Sequence, residues 1–486
     1  MYRTNGQLRR LFVPFARRRK PLCRSFTDHA AFVQWLDRVE KSAMPRPPQA
    51  VSVDPTIATP FLVDVDPMAA AHYKVWHVPY DDTTAATSLR PTPATSFREV
   101  QFPLATNNTV RTAVSDVGSW STFRLSKFYE MVDVLTGDVV YDYTQQSSQS
   151  KNIAWVTAGH YHSRKLRRTD LTRNINLRTY ITKVGRSSME IRSDAWQDER
   201  LVNVCHTIMV ALDPTTMKPL VVRSKTSDGH SQSDHSILPP LHTDPHDAKN
   251  QAERLAMAEW HDQIRKARAA SSLQLRTPIS TPPTPTEVQA IHQLHQQVTR
   301  LRESSGNQPG CPPNVHPRTV GAYTFRSSAV IFPEHRNVHG KLFGGYVLSE
   351  AYNLALYATK FFAQSGQSDV HKVVPLGLDE AIFHQPVSIG DLVSFTARVV
   401  HATRYTCRVV CTVKVLDPTC PTRSPSRSNR LTFVFAATTP LEHKTAPFVV
   451  PETYPEVLLH VEAARRHAVE GPTEDEARVI LEQAAQ

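Results

Sequence analysis

The stretch PEHRNVHGKLFGGYVLSEAYNLALYATKFF (residues 333–362) decides the reading of this chain. It opens with a polar, turn-rich segment, 334–340, and two glycines follow, Gly344 and Gly345. Val347, Leu348, Ala351, Tyr352, Ala355, Ala358, Phe361 and Phe362 then recur with helical spacing. The alanines at 351, 355 and 358 keep one side of that helix thin, which suits a curved sheet packed close around it. Paired glycines let backbone or ligand approach the helix N-terminus, where free N–H groups point outward. Such a terminus polarises a carbonyl or holds an anion. A bare Gly-Gly before a helix reads as an ordinary turn. Asn337, His339 and Gly340 upstream and Phe343 against the glycines shift the balance towards a built site.

With those residues in view, the motif RNVHGKLFGG (336–345) followed by a small-residue helix resembles the core motif of acyl-coenzyme A thioesterases of the hotdog fold. The resemblance implies a sheet wrapped around one long helix, with the loop before the helix lining the active site.

Composition sets the bounds. A chain of 486 residues predicts two or more domains. A hydrophobic content of 40% suffices for globular cores, while 36 prolines against 16 glycines predict long irregular connections. No apolar run approaches the roughly 20 residues of a membrane helix, so no membrane span is expected. The cysteines at 23, 205, 311, 407, 411 and 420 form no CxxC pair, and they read as reduced thiols rather than a zinc site or disulfide framework.

The net charge of +11 has a local source. Residues 1–27 carry eight Lys/Arg and no acid, with Leu8, Leu11, Phe12 and Phe15 interleaved. That pattern describes a mitochondrial transit peptide and predicts location in the matrix. A basic arm for RNA or anionic lipid is the other reading. Removing the segment takes the charge eight units lower, to +3, so bulk charge gives no argument for nucleic acid.

The rest of the chain divides by composition. Residues 28–94 read as an N-terminal extension with one short amphipathic helix (Phe32, Trp35, Leu36, Val39) in a Pro/Thr/Ala-rich segment that drapes over other domains or stays mobile. Domain one, 95–223, predicts a strand at 97–104 and a helix at 124–143, weakened by about 1 kcal/mol at Gly137. Strands follow at 153–163, 173–184, 187–197 and 202–212. Residues 224–318 read as a linker with helices at 248–270 and 285–302, the first packing through Leu255, Met257, Trp260 and Ile264. His230, His235, His242 and His246 lie in its Pro/Asp/Ser-rich opening and fit a solvated linker; no metal is expected there. Domain two, 319–442, repeats the order with a strand at 320–332, the motif and its helix, and strands at 372–383, 392–400, 404–416 and 431–437. The recurrence at about 220 residues reads as an internal duplication. An exposed hairpin insertion is expected at 417–430. The helical tail, 443–486, predicts helices at 456–470 and 473–484.

The resemblance sharpens with further pieces: FRLSKFYEMVDVL (123–135), VGRSSMEI (184–191), EVQAIHQLH (287–295), FHQPVSIGDLV (383–393) and VVPETY (449–454). In this order they are similar to the mitochondrial branch of two-hotdog acyl-CoA thioesterases, the acyl-coenzyme A thioesterase 9 type. The implied fold class is α+β, a tandem double hotdog, each unit a long helix wrapped by an antiparallel sheet. In that family an acid follows the second glycine by seven residues. Tyr352 stands there in domain two, whereas Asp133 aligns with the acidic position on the helix of domain one, which lacks the Gly-Gly. The resemblance therefore implies one composite site per chain: Asp133 as base or nucleophile, Asn337 orienting water or carbonyl, His339 beside them, and Gly344 and Gly345 amides for the oxyanion or substrate. Spacing alone leaves Asp133 a solvated helix residue and His339 a loop-packing one.

No G-x-S-x-G elbow, P-loop or G-x-G-x-x-G is present. The hydratase motif of hotdog proteins, Asp-x-Asn-Pro-x-His, is also missing: residues 334–339 lack its Asp and Pro. The expected function is hydrolysis of acyl-CoA to fatty acid and CoA, with no cofactor beyond the substrate's own CoA, by a homo-oligomer of hotdog pairs. The alternative is an inactive structural subunit of a large mitochondrial assembly such as the ribosome, with RNA or ribosomal proteins as partners. The long Pro-rich, basic extensions favour that alternative.

Overall fold

In the computed structural model of the chain the described residues are 29–54, 73–78, 92–116, 119–145, 153–216, 218–220, 223–225, 231–233, 238, 240–244, 247–274, 282–305, 319–337, 339–364, 373–384, 386–416, 426–437, 441 and 449–470. The expected transit peptide, residues 306–318 of the linker, residues 417–425 of the insertion expected at 417–430 and the helix at 473–484 lie outside them; residues 426–430 of that insertion open a strand instead, Ser426–Ala437.

The helices are α1 (His29–Ser42), α2 (Asn108–Val114), α3 (Leu125–Gln145), α4 (Ala248–Gln274), α5 (Pro285–Ser305), α6 (Gly344–Gln364) and α7 (Tyr454–Glu470). The strands are β1 (Val51–Val53), β2 (Lys74–His77), β3 (Arg98–Phe102), β4 (Ser115–Asp116), β5 (Ser119–Phe123), β6 (Ala154–Lys165), β7 (Ile175–Val184), β8 (Ser188–Gln197) and β9 (Arg200–Leu212). After these come β10 (Arg223–Lys225), β11 (Ser231–Ser233), β12 (Thr324–Val330), β13 (Val373–Phe383), β14 (Leu392–Ala402), β15 (Thr406–Leu416) and β16 (Ser426–Ala437).

Among the described residues twelve strands form one antiparallel sheet in the order β1-β2-β3-β7-β8-β9-β6-β13-β16-β15-β14-β12. The list falls into two runs of strands with matching order. Leaving out β1 and β2, the strands that each half gives to this sheet run, from the outside inwards, first, third, fourth, fifth, second in chain order. The two halves meet through their second strands, β6 and β13. Helix α3 packs on β6 to β9, and α6 on β12 to β16. The two helices also pack on each other, so a single hydrophobic cluster runs through both halves. Tyr352 lies in it with Tyr129, Phe433 and Phe435, ring centroids 5.7–6.1 Å away.

The seam between the halves demands glycine twice. A Cβ on Gly159 would overlap the carbonyl of Ala381, and one on Gly377 (φ 153°) the carbonyl of Ser163. The same seam buries Asp379 between Arg164 of β6 (3.0 Å) and Arg408 of β15 (2.7 Å).

Three departures from the sequence reading have physical reasons. Residues 28–94 supply β1 and β2, which extend the sheet beyond β3. At three and four residues these strands are too short to show an alternating pattern. Between β3 and α3 the chain inserts α2, capped by Asn107 Oδ1 accepting from Val110 N (3.0 Å), and the hairpin β4–β5. Third, α4 packs through Met257 and Trp260 as expected but not through Leu255, which is 40% exposed. Its buried face is Gln251, Arg254, Ala258 and His261. Beneath it the sheet's outer face carries Glu190, Arg192 and Asp194, all buried, so the covering helix answers with polar groups.

Candidate active site

Asp133 stands on α3 among Val132, Val134 and Leu135, all buried. The carboxylate itself is also buried, so it is not the solvated helix residue that spacing alone allows. Its Oδ1 accepts from Thr157 Oγ1 at 2.8 Å, and His160 Nε2 lies 3.3 Å from the same oxygen. Thr157 and His160 both belong to β6, the strand at the seam. His160 is fully buried, and its Nδ1 lies 3.0 Å from Thr207 Oγ1 on β9.

The other oxygen faces the second half. A Cβ built on Gly344 would stand 2.8 Å from Asp133 Oδ2, closer than real Cβ contacts come. Glycine at 344, the first residue of α6, is thus what lets the carboxylate of one half reach the helix N-terminus of the other. A Cβ on Gly345 would overlap the Phe343 ring and crowd the Glu130 backbone of α3. First-turn N–H groups have no partner within their helix, and the positive end of the α6 dipole is directed at this spot.

Asn337 and His339 do other things. Asn337 Oδ1 accepts from His339 N (2.9 Å) and Lys341 N (3.0 Å), so this oxygen is used in folding its own loop. His339 reaches across to the first half: Nε2 lies 2.9 Å from Tyr141 Oη on α3 and 3.1 Å from the Trp155 carbonyl on β6. A carbonyl only accepts, so the ring donates from Nε2–H. The loop is therefore pinned to α3 and β6 on one side, and Phe343 N donates to the His335 carbonyl (2.9 Å) on the other. Among the described residues no hydrogen bond joins Asn337 or His339 to Asp133; the structure brings Asp133 to Gly344 and Gly345.

Thr157 and His160 were not singled out in the sequence. Their signal is weak: each is a polar residue in a long strand, and only the fold of β6 beneath α3 turns them towards Asp133. At the place equivalent to Asp133 in the second half, Tyr352 is enclosed by aromatic rings, and burial raises its phenol pKa well above the usual value.

No family model matches the chain. Acyl-coenzyme A thioesterase 10, mitochondrial, from Mus musculus is 24% identical over 379 residues, 76% of each chain. Acyl-coenzyme A thioesterase 9, mitochondrial, from Homo sapiens is 21% identical over 384 residues, 78% of each. Among solved structures, an acyl-CoA hydrolase from Staphylococcus aureus in complex with butyryl coenzyme A, coenzyme A and coenzyme A disulfide gives a TM-score of 0.29 at 21% identity, covering 35% of this chain and 100% of that one. An acyl-ACP thioesterase from Bacteroides thetaiotaomicron gives 0.35 at 10% identity, covering 70% and 98%. Over about three quarters of its length the chain resembles the mitochondrial acyl-coenzyme A thioesterases 9 and 10.

Proposed function

We propose that this protein hydrolyses acyl-CoA thioesters to free acid and CoA in the mitochondrial matrix, as a tandem double hotdog with one composite active site per chain. The observation that carries the reading is the meeting of Asp133 on α3 with Gly344 at the start of α6. Neither half holds both groups. The likeness to thioesterases 9 and 10 along three quarters of the chain supplies the substrate class.

In this reading Asp133 takes a proton from water as that water attacks the thioester carbonyl. Thr157 holds the carboxylate in place by its hydrogen bond, with the His160 ring packed beside it. Amides at the Gly344–Gly345 helix start stabilise the oxyanion, a role worth about 3 kcal/mol per donor. Collapse of the tetrahedral intermediate breaks the C–S bond, and the thiolate leaves with the proton. Asn337 and His339 act on position, Asn337 by shaping the loop and His339 by fastening it to Tyr141 and Trp155. The site built around Tyr352 is inactive. Chains associate as multimers of hotdog pairs, and residues 1–27 direct import.

The test is thiol release from acyl-CoA of short, medium and long chains, using protein that lacks residues 1–27. Turnover of at least one length is expected. A folded protein inactive on every length removes the proposal and leaves the structural-subunit reading.

A further inference from the structure

A second cluster of chemistry-bearing side chains lies away from Asp133, on the outer face of the first half sheet. Glu190 of β8, His206 of β9 and His261 of α4 are all buried. His206 Nδ1 lies 3.0 Å and His261 Nδ1 3.4 Å from one oxygen, Glu190 Oε1. One donor atom from each of the three falls within 4.8 Å of the others. The His206 and His261 rings are 4.1 Å apart at their centroids, and His162 stacks on His261 at 4.6 Å.

We propose that Glu190, His206 and His261 bind one divalent transition-metal ion of the zinc type, which clamps α4 to the sheet. Two imidazoles and one carboxylate are a common zinc donor set, with bonds of about 2.0–2.2 Å and a fourth position for water. An ion at that distance draws donors to roughly 3.4 Å from one another, close to the two separations already present. As hydrogen-bond donors the two Nδ1–H groups share one carboxylate oxygen. An ion in their place is held by the same three atoms, with the rings in the Nε2–H tautomer.

The surroundings suit a ligand set. The His162 and Trp260 rings (5.0 Å from His261 for Trp260) limit the freedom of the α4 ligand. Polar residues outnumber apolar ones on the buried face of this helix, which hydrophobic packing alone does not demand.

The full chain is stripped with a chelator, given excess Zn²⁺ and exchanged into metal-free buffer, then measured for retained zinc and for Tm. About one equivalent of zinc is expected, with a higher Tm. A His206→Gln/His261→Gln variant that keeps its circular dichroism should lose that equivalent. Replacing His230, His235, His242 and His246 by alanine should leave it in place. The proposal is overturned if the wild type retains no zinc, if the double variant retains as much, or if the linker variant loses it. Should the double variant not fold, Co²⁺ on the wild type decides: ligand-field absorption of a four-coordinate N/O site supports the proposal. Its absence means a hydrogen-bonded cluster only.

Discussion

Asp133 is decided by two neighbours that no local pattern connects to it. Thr157 Oγ1 donates to one oxygen, and the absent side chain of Gly344 makes room for the other. Replacing Asp133 by Asn keeps the shape and removes the charge. Thiol release should fall by at least about a thousandfold, while Tm moves little; a variant retaining full activity would sink the assignment. Thr157→Val should cost less, about 10-fold to 100-fold, because the carboxylate stays but loses one tether worth roughly 1–2 kcal/mol. Lys165 offers a residue-scale test of stability. Buried beside the apolar pocket formed by Phe102, Phe128, Met131 and Val202, its pKa is pushed down to about 8 by burial, against the pull of Asp116. Its unfolded value is near 10.5, so the cost of the buried charge is full below pH 8 and fades as pH rises to 10.5. Urea unfolding should show Lys165→Met more stable than wild type by about 2–3 kcal/mol at pH 7, with the gap closing by pH 10.5. A gap that does not change with pH would contradict this origin. Asp133 was legible as a site residue only through the resemblance to the thioesterases, since spacing alone reads it as a solvated helix residue. Thr157 and His160 were not, because a strand's polar residues do not announce which element will lie over them.

At the scale of elements, hydrophobic period carried the reading where one face met an apolar core, and failed where it met a polar one. The strands expected at 153–163 and 187–197 run Ala154–Lys165 and Ser188–Gln197, and the helix expected at 124–143 runs Leu125–Gln145. Helix α4 existed where expected and packs through Met257 and Trp260, but its fully buried residues are mostly polar and answer charges on the sheet. Strands β1 and β2 gave no signal, being short and stabilised by an edge already built. The loop before α6 is a further case. Its Asn337-x-His339 spacing read as chemistry, and its contacts are those of a fastener. His339→Ala removes the donor to Trp155 and the contact to Tyr141. The expected result is a loss of about 1–2 kcal/mol in urea unfolding and a reduced kcat, as the Gly344–Gly345 amides lose their fixed position. Unchanged kcat with reduced stability would confine His339 to packing.

The whole molecule depends on a seam where two similar halves become one sheet. Edge-to-edge pairing of β6 with β13 covers two exposed edges at once. The polar network at the seam had no sequence signature. Asp379 of the second half holds Arg164 of the first and Arg408 of its own, and Asp379 and Arg408 are both 1% exposed. Removing one partner of such a network strands a buried charge, which costs about 3–5 kcal/mol. Asp379→Ala should therefore lower stability by that amount. A triple replacement, Arg164→Met, Asp379→Leu and Arg408→Met, should recover most of it, because the desolvation cost of the charges goes with them. The halves share one hydrophobic cluster, and the candidate site needs Asp133 from one and Gly344 from the other. Loss of thiol release and loss of circular dichroism should then coincide in urea, in wild type and variant alike. If activity in Asp379→Ala disappears well before the secondary structure, the halves part at the seam while still folded. The shared core would then not bind them into one cooperative unit.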